Sequence, residues 1–322
     1  MPLLKLVPDN TNVNFMRWRN VALALSILLT IASIATIAIR GLNFGVDFVG
    51  GQMIRVSFEQ PIAIDPLRER IESLGLGEAT IQEFGDPRTV SIRMQVPEGD
   101  EEAANRAAER VKQTVTAAHP DATFEAVETV SGKVSYELFR SGGLAIALSM
   151  LGIAIYIWVR FEWQFGVGAL ATLFHDVVVV LGFFAATQLE FNLNVVAGFL
   201  TIVGYSLNDT VVIYDRIREN LRKYRKMEIV PLINLSLNET LSRTIVTSLS
   251  IMIALLALLI FGPEVIFGLT LAIFLGTLVG TYSSIYISAP ILVLLKVDSS
   301  TFVPKEAKVK GEGKTYSEGY DS

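Results

Sequence analysis

The chain has 322 residues and a mean hydropathy of +0.48; 51% of it is apolar and only 18% charged, against about a quarter charged in ordinary soluble domains. The apolar excess is concentrated in blocks, which points to lipid, and a net charge of -5 with no basic tract argues against nucleic acid as a partner. Cysteine is absent and His119 and His175 are the sole histidines, which excludes disulfides, thiolate metal sites and a cysteine nucleophile and leaves a multi-histidine metal centre without ligands.

Residues 1–20 form a short amino-terminal segment, basic through Lys5, Arg17 and Arg19. The first predicted span, residues 21–40, holds an uncharged run from Val21 to Ile39. Roughly 20 helical residues rising 1.5 Å each cross the hydrocarbon core, so this run suffices. It is longer than a signal-peptide core, and no small-x-small cleavage site follows, so it reads as a retained anchor.

Residues 41–136 are predicted to form a folded domain outside the lipid. Gln52–Glu59 alternates like a strand. Asp65–Leu74 has helical spacing, with Asp65 as N-cap ahead of Pro66. Ala79–Phe84 and Thr89–Gln95 read as strands joined by the turn Gly85-Asp86-Pro87-Arg88. Asp100–Ala118 is a helix with Pro120 just past its end, and Thr123–Val130 is a last strand. The order β-α-β-β-α-β is that of a small α+β, ferredoxin-like domain. His119 sits at a helix end with no nucleophile or base beside it, so it reads as a capping or solvated residue.

Five more spans follow within residues 137–295. They are Gly142–Val159, Phe165–Leu189 with His175 and Asp176, Leu193–Ile213 with Asn208 and Asp209, Thr244–Phe261, and Val265–Leu295. The last is overlong and must tilt, kink near Pro290 or extend past the bilayer. A loop over 215–240 carries Arg216, Arg218, Arg222, Lys223, Arg225 and Lys226, whereas the short loops at Glu190 and Glu264 have no cation. Basic short loops stay in the cytoplasm. Both termini are therefore expected inside, with the folded domain outside, in an α-helical membrane protein of six spans. The basic loop reads first as this topology signal on a solvated helix, and more sharply as a contact for anionic lipid or a cytoplasmic partner. Residues 296–322 are rich in Lys, Glu, Gly and Ser and are predicted to be a disordered cytoplasmic tail.

An ionisable residue at mid-span costs about 2.5–3.5 kcal/mol on insertion scales and faces the bundle interior or a wet cavity. Asp209 in span four and Arg243 at the mouth of span five fall at similar depths on antiparallel helices, so they could form a carboxylate–guanidinium pair sensitive to protonation. His175, Asp176 and Asn208 complete the candidate proton relay. Each has a plainer role: Asp209 a structural hydrogen-bonding group, Arg243 a snorkelling cation, His175 a packed neutral ring and Asn208 helix glue. Gly276 with Gly280, and Gly198 with Gly204, suit close helix packing. No nucleophile with its base and no phosphate-cradling loop is visible, so an enzyme is not expected.

Three strings carry a resemblance. They are GLNFGVDFVGG from Gly41 to Gly51, LFHDVVVVLGFF from Leu173 to Phe184, and FNLNVVAGFLTIVGYSLNDTVVIYDRIREN from Phe191 to Asn220. In order and spacing they resemble the SecF side of the SecD/SecF family of protein-export membrane proteins, over roughly Phe15 to Leu295. The resemblance implies half of a resistance-nodulation-division type bundle, completed by SecD. It implies an inner-membrane protein that uses the proton-motive force to complete preprotein export and to support membrane-protein insertion. It implies partnership with the SecYEG channel, YajC, unfolded preprotein and membrane lipid. Asp209 in SLNDTVVIYDR would bind the proton, with no cofactor besides protons, and Arg243 in NETLSRTIVTS would be its basic partner. Asp176 in FHD falls in another family motif. Gly41, Gly45, Asp47, Gly50 and Gly51 would form a hinge between span one and the exported domain, with Asp47 capping or anchoring the turn. A proton-driven exporter of small molecules or lipids would share the intramembrane Asp, and a non-motor scaffold would tolerate its loss. An exporter also needs a sizeable apolar pocket, which so small an exported domain has little room to hold.

Overall fold

The computed structural model describes residue 8 and residues 11–76, 79–84, 86–95 and 101–297. Lys5, Gly85, Asp100 and the tail from 298 onward lie outside them. Among the described residues six helical stretches are long and apolar enough to cross a bilayer: Phe15–Arg40, Gly132–Arg160, Trp163–Thr187, Leu193–Lys223, Ile229–Phe261 and Glu264–Leu294.

The first begins with a 3-10 turn, Phe15–Trp18, and continues as α1, Arg19–Arg40. A single helical turn, α2 (Val46–Val49), lies between Gly45 and Gly50. The sheet domain then runs β1 (Gly51–Ser57), α3 (Ile64–Glu72), β2 (Ala79–Phe84), β3 (Asp86–Met94), α4 (Glu101–Ala118) and β4 (Thr123–Val130). That is the expected β-α-β-β-α-β order. The strands lie β2-β3-β1-β4, every neighbouring pair antiparallel. Alternation along each strand sends one set of side chains to each face. Ile54, Val56, Val90 and Ile92 pack under Leu67 and Ile71 of α3 and Val111 and Val115 of α4. Each such buried aliphatic side chain contributes about 1.5–3 kcal/mol. Met53 and Arg55 on the other face are also buried, at 2% and 5% exposure, because that face rests on the bundle.

Local boundaries differ from expectation for identifiable reasons. Helix α3 starts two residues early, with Ala63 at the N-cap and no side-chain cap, so Asp65 sits in the first turn instead. Strand β3 begins at Asp86, inside the turn expected over 85–88, because Asp86 pairs with Phe84. Helix α5, Gly132–Arg160, begins ten residues ahead of the uncharged run, capped by the Ser131 side chain on the Val134 N–H. The sheet domain therefore runs directly into span two.

Helix α6 (Trp163–Thr187) ends on Gln188, in the left-handed conformation. Helix α7 (Leu193–Lys223) is capped by the Asn192 side chain on the Val195 N–H at 3.1 Å. It runs ten residues past the apolar run, and α8 (Ile229–Phe261) starts well before Thr244. The expected loop 215–240 shrinks to Tyr224–Glu228 because its Arg, Lys and Glu residues are strong helix formers. Cross-helix pairs hold this end: Arg216 to Glu239 at 2.7 Å, Arg160 to Asp215 at 2.8 Å and Arg218 to Glu162 at 3.0 Å. Helix α9 (Phe267–Ser283) passes through a π turn, Ser284–Ser288, into α10, Ala289–Leu294. The π turn sits just ahead of Pro290, whose missing N–H removes one helical hydrogen bond.

Spans three and four form the centre of the bundle; 67% and 56% of their apolar windows are buried, against 17% or less for α1, α5 and α8. Gly276 admits Ile202 and Gly198 admits Ala272, as close packing requires. A Cβ at Gly204 would meet nothing within 4 Å among the described residues, and Gly204 lies with Ala197, Thr201 and Asn208 on an exposed stripe of α7.

Candidate functional site

The polar residues inside the bundle gather around two carboxylates. Asp176 on α6 is fully buried. Its Oδ2 accepts hydrogen bonds from Ser206 Oγ of α7 and from Ser283 Oγ of α9, the latter at 2.8 Å. Its Oδ1 lies 2.9 Å from His175 Nδ1. Three helices thus converge on one carboxylate, with Gly280 of α9 alongside it. His175 is 4% exposed and its Nε2 has no hydrogen-bond partner among the described residues.

Asp209, one helical turn beyond Ser206 on α7, turns toward α8. It is 4% exposed, and its Oδ2 accepts from Ser248 Oγ at 3.3 Å. Ser248 Oγ in turn accepts from Thr281 Oγ1 of α9 at 2.8 Å and from Tyr205 OH at 3.4 Å. Helix α9 therefore serves both sites, through Thr281 on one side and Ser283 on the other. Arg243 lies within Coulomb range of Asp209, yet no ion pair joins them among the described residues, and Arg243 is exposed. Asn208 points away from the bundle and is exposed.

A buried carboxylate is costly unless it is paired, hydrogen-bonded or protonated. Hydroxyls suit either protonation state, since each can donate to a carboxylate or accept from a carboxylic acid. Asp176, with three partners, is well compensated. Asp209 has one long hydrogen bond, so a proton would change its balance most. Among the described residues no group of three His, Cys, Asp or Glu is placed to hold a metal ion.

The glycine-rich segment is stapled to the connection between α6 and α7. Gly45 N–H donates to Phe191 O at 3.0 Å, and Phe191 N–H donates to Asn43 O at 2.7 Å. Asn43 Nδ2 donates to Gln188 O at 2.9 Å, and Gln188 Nε2 donates to Gly41 O at 3.2 Å. Asp47 Oδ2 accepts from the Leu193 N–H at 2.8 Å, so it anchors the first turn of α7, the helix that carries Asp209. Gly41, Gly50 and Gly51 have φ of 67°, 76° and 110°, a region that favours glycine. The serines and threonines around the carboxylates were not singled out from sequence. Their signal is the three-residue step from Ser206 to Asp209, the four-residue step from Ser206 to Thr210, and the four- and three-residue steps of Thr277, Thr281 and Ser284 along span six.

Two family models match: protein export membrane protein SecD/SecF, C-terminal, over residues 110–298, and the SecD/SecF GG motif over residues 36–62. The chain is 45% identical to the protein translocase subunit SecF of Rickettsia akari, over 90% of this chain and 94% of that one. It is similar to the crystal structure of SecDF, a translocon-associated membrane protein from Thermus thermophilus. That likeness has a TM-score of 0.82 and 35% identity, over 89% of this chain and 39% of that one. Against SecDF in its super-membrane-facing form the TM-score is 0.61 at 33% identity, over 92% of this chain and 40% of that one. The chain belongs to the SecD/SecF family of protein-export membrane proteins.

Proposed function

We propose that the chain is a SecF-type accessory subunit of the Sec protein translocase. With SecD it uses the proton-motive force to complete preprotein export and to support membrane-protein insertion. The observation that carries this is Asp209, a buried carboxylate in a spanning helix with one long hydrogen bond and an arginine nearby. Such a residue is functional by default. A proton crossing the membrane potential supplies about 2.3 kcal/mol per 100 mV, enough to bias a two-state motion more than tenfold.

Arg160 at the end of α5 and Arg216, Arg218 and Arg222 toward the end of α7 support a reading in which that end of the bundle faces the cytoplasm and the sheet domain the periplasm, across a bacterial inner membrane. SecYEG, YajC and the preprotein are the further partners this reading assigns. The exposed α7 stripe supports a second half-bundle. Asn208 projects an amide where lipid would leave it unpaired, and Ala197, Thr201 and Gly204 let another helix come close. Gly204→Trp is therefore expected to reduce co-purification with SecD by at least about tenfold, whereas Leu144→Trp on the lipid-facing side of α5 leaves it unchanged. Equal recovery of SecD with both variants would remove this face as the contact.

A further inference from the structure

The junction between sheet domain and bundle holds a titratable group that the reading of Asp209 does not use. Glu190 lies in the connection between α6 and α7, outside the spans. Its Oε1 presses on the Gly45 backbone so closely that a Cβ there would stand 2.5 Å away. Charged groups face it from every side. Arg55 of β1, Arg93 of β3, Glu128 of β4 and Asp47 of α2 surround it, and Glu83 of β2 and Glu264 ahead of α9 line the same cavity of about 470 Å³.

Both arginines hold other partners, although Arg55 Nε has none among the described residues. Arg55 pairs with Glu128 at 3.0 Å and lies over the Phe84 ring at 4.6 Å. Arg93 donates to Asn43 Oδ1 at 2.9 Å and to Phe44 O. The Glu190 carboxylate accepts no hydrogen bond among the described residues. Its ionised form is therefore poorly compensated in the place where the sheet sits on the glycine-rich segment. We propose that Glu190 is a proton-binding site at this junction, separate from the intramembrane carboxylates, whose protonation seats the sheet domain on the bundle and whose ionisation loosens it.

The direction of its titration agrees. Burial pushes the Glu190 carboxyl above its ordinary value of 4.5, helped by Glu128 and Asp47 and opposed only in part by Arg55 and Arg93. A seated domain then holds a proton that an unseated, solvated Glu190 releases. The stabilisation is full below the ordinary value and is lost as pH rises through the raised one. An acidic outer compartment, which a proton-motive force maintains, favours the seated form. The proposal rests on the sidedness given above only for which compartment supplies the proton.

The chain lacks cysteine, so a spin-label pair can be placed at Ala117→Cys on α4 and Phe261→Cys at the near end of α8, both exposed. Their distance distribution would be measured in nanodiscs from about pH 5 to about pH 8. The seated distance is expected to dominate in acid and to give way to others on raising pH, no more steeply than about tenfold per pH unit, the limit for one proton. Glu190→Gln is expected to keep the seated population at high pH several-fold above that of the unsubstituted pair, and Glu69→Gln, exposed on α3 and outside the cavity, to leave the titration unmoved. Persistence of the Glu190 response in an Asp209→Asn background would separate this site from the intramembrane one. The proposal is overturned if Glu190→Gln titrates like the unsubstituted pair, if the populations ignore pH, or if Asp209→Asn abolishes the response.

Discussion

Gly51→Ala is expected to destabilise the sheet domain by roughly 2–4 kcal/mol, from a left-handed backbone position and a steric collision together. Gly51 has φ of 110° at the start of β1, and a Cβ there would run into the backbone carbonyl of Met94 on β3. That carbonyl belongs to the sheet ladder, where Gln52 is already in register with Met94, so it cannot retreat without breaking pairing. Gly50 beside it, at φ 76°, lies against the Gly132 backbone where α5 begins. The glycine pair thus lets the chain leave α2, enter the central strand and pass the root of span two in two residues. For a domain this small, a loss of this size lowers the unfolding midpoint by more than about 10 °C. Temperature-dependent protease cleavage of the sheet domain in membranes would show it. Gly143→Ala in α5, which meets nothing within 4 Å, serves as the control. An unchanged cleavage onset for Gly51→Ala would contradict the account of the glycine pair.

Asp176→Ala is expected to cost roughly 3 kcal/mol, because it removes the acceptor that the buried Ser206 and Ser283 hydroxyls share and the partner of His175 Nδ1. Ser206, Ser283 and His175 all direct polar atoms at this carboxylate. Asp176→Asn keeps one acceptor oxygen and should cost less. Asp209→Asn keeps an oxygen able to accept the 3.3 Å hydrogen bond from Ser248 and should stay within about 1 kcal/mol of the parent. Monodisperse yield and thermal unfolding in detergent would rank the three. A chain with Asp176→Ala as stable as one with Asp209→Asn would deny Asp176 its place as the junction of α6, α7 and α9.

Much of this was legible in the chain. The apolar runs located the spans because a charge in lipid is costly and few occur over that length. The alternation of Ile54 and Val56 against Met53 and Arg55 marked β1, and Asp209 stood out by its cost in lipid. The helix ends were less legible, since Arg216 to Asn220 read equally as a basic loop and as a solvated helix. The pairing of Asp209 with Arg243 was a matter of depth alone. Depth does not fix rotation about the helix axis, and in the structure Arg243 turns outward while Ser248 faces the carboxylate. Nor could local pattern show that Asp47 reaches the Leu193 N–H, or that Glu190 settles on Gly45. Those contacts join residues about 145 positions apart and arise only when the sheet domain docks on the bundle.

The central claim is that Asp209 couples proton movement to export. Inverted membrane vesicles containing SecD would be given a precursor, ATP-driven transport would be allowed to stall, and a proton-motive force would then be imposed. The unsubstituted chain is expected to show a further increment of translocation, and Asp209→Asn, at matched expression and near-equal stability, is expected to show none. An equal increment from both would make Asp209 a structural residue and the chain a scaffold without a motor.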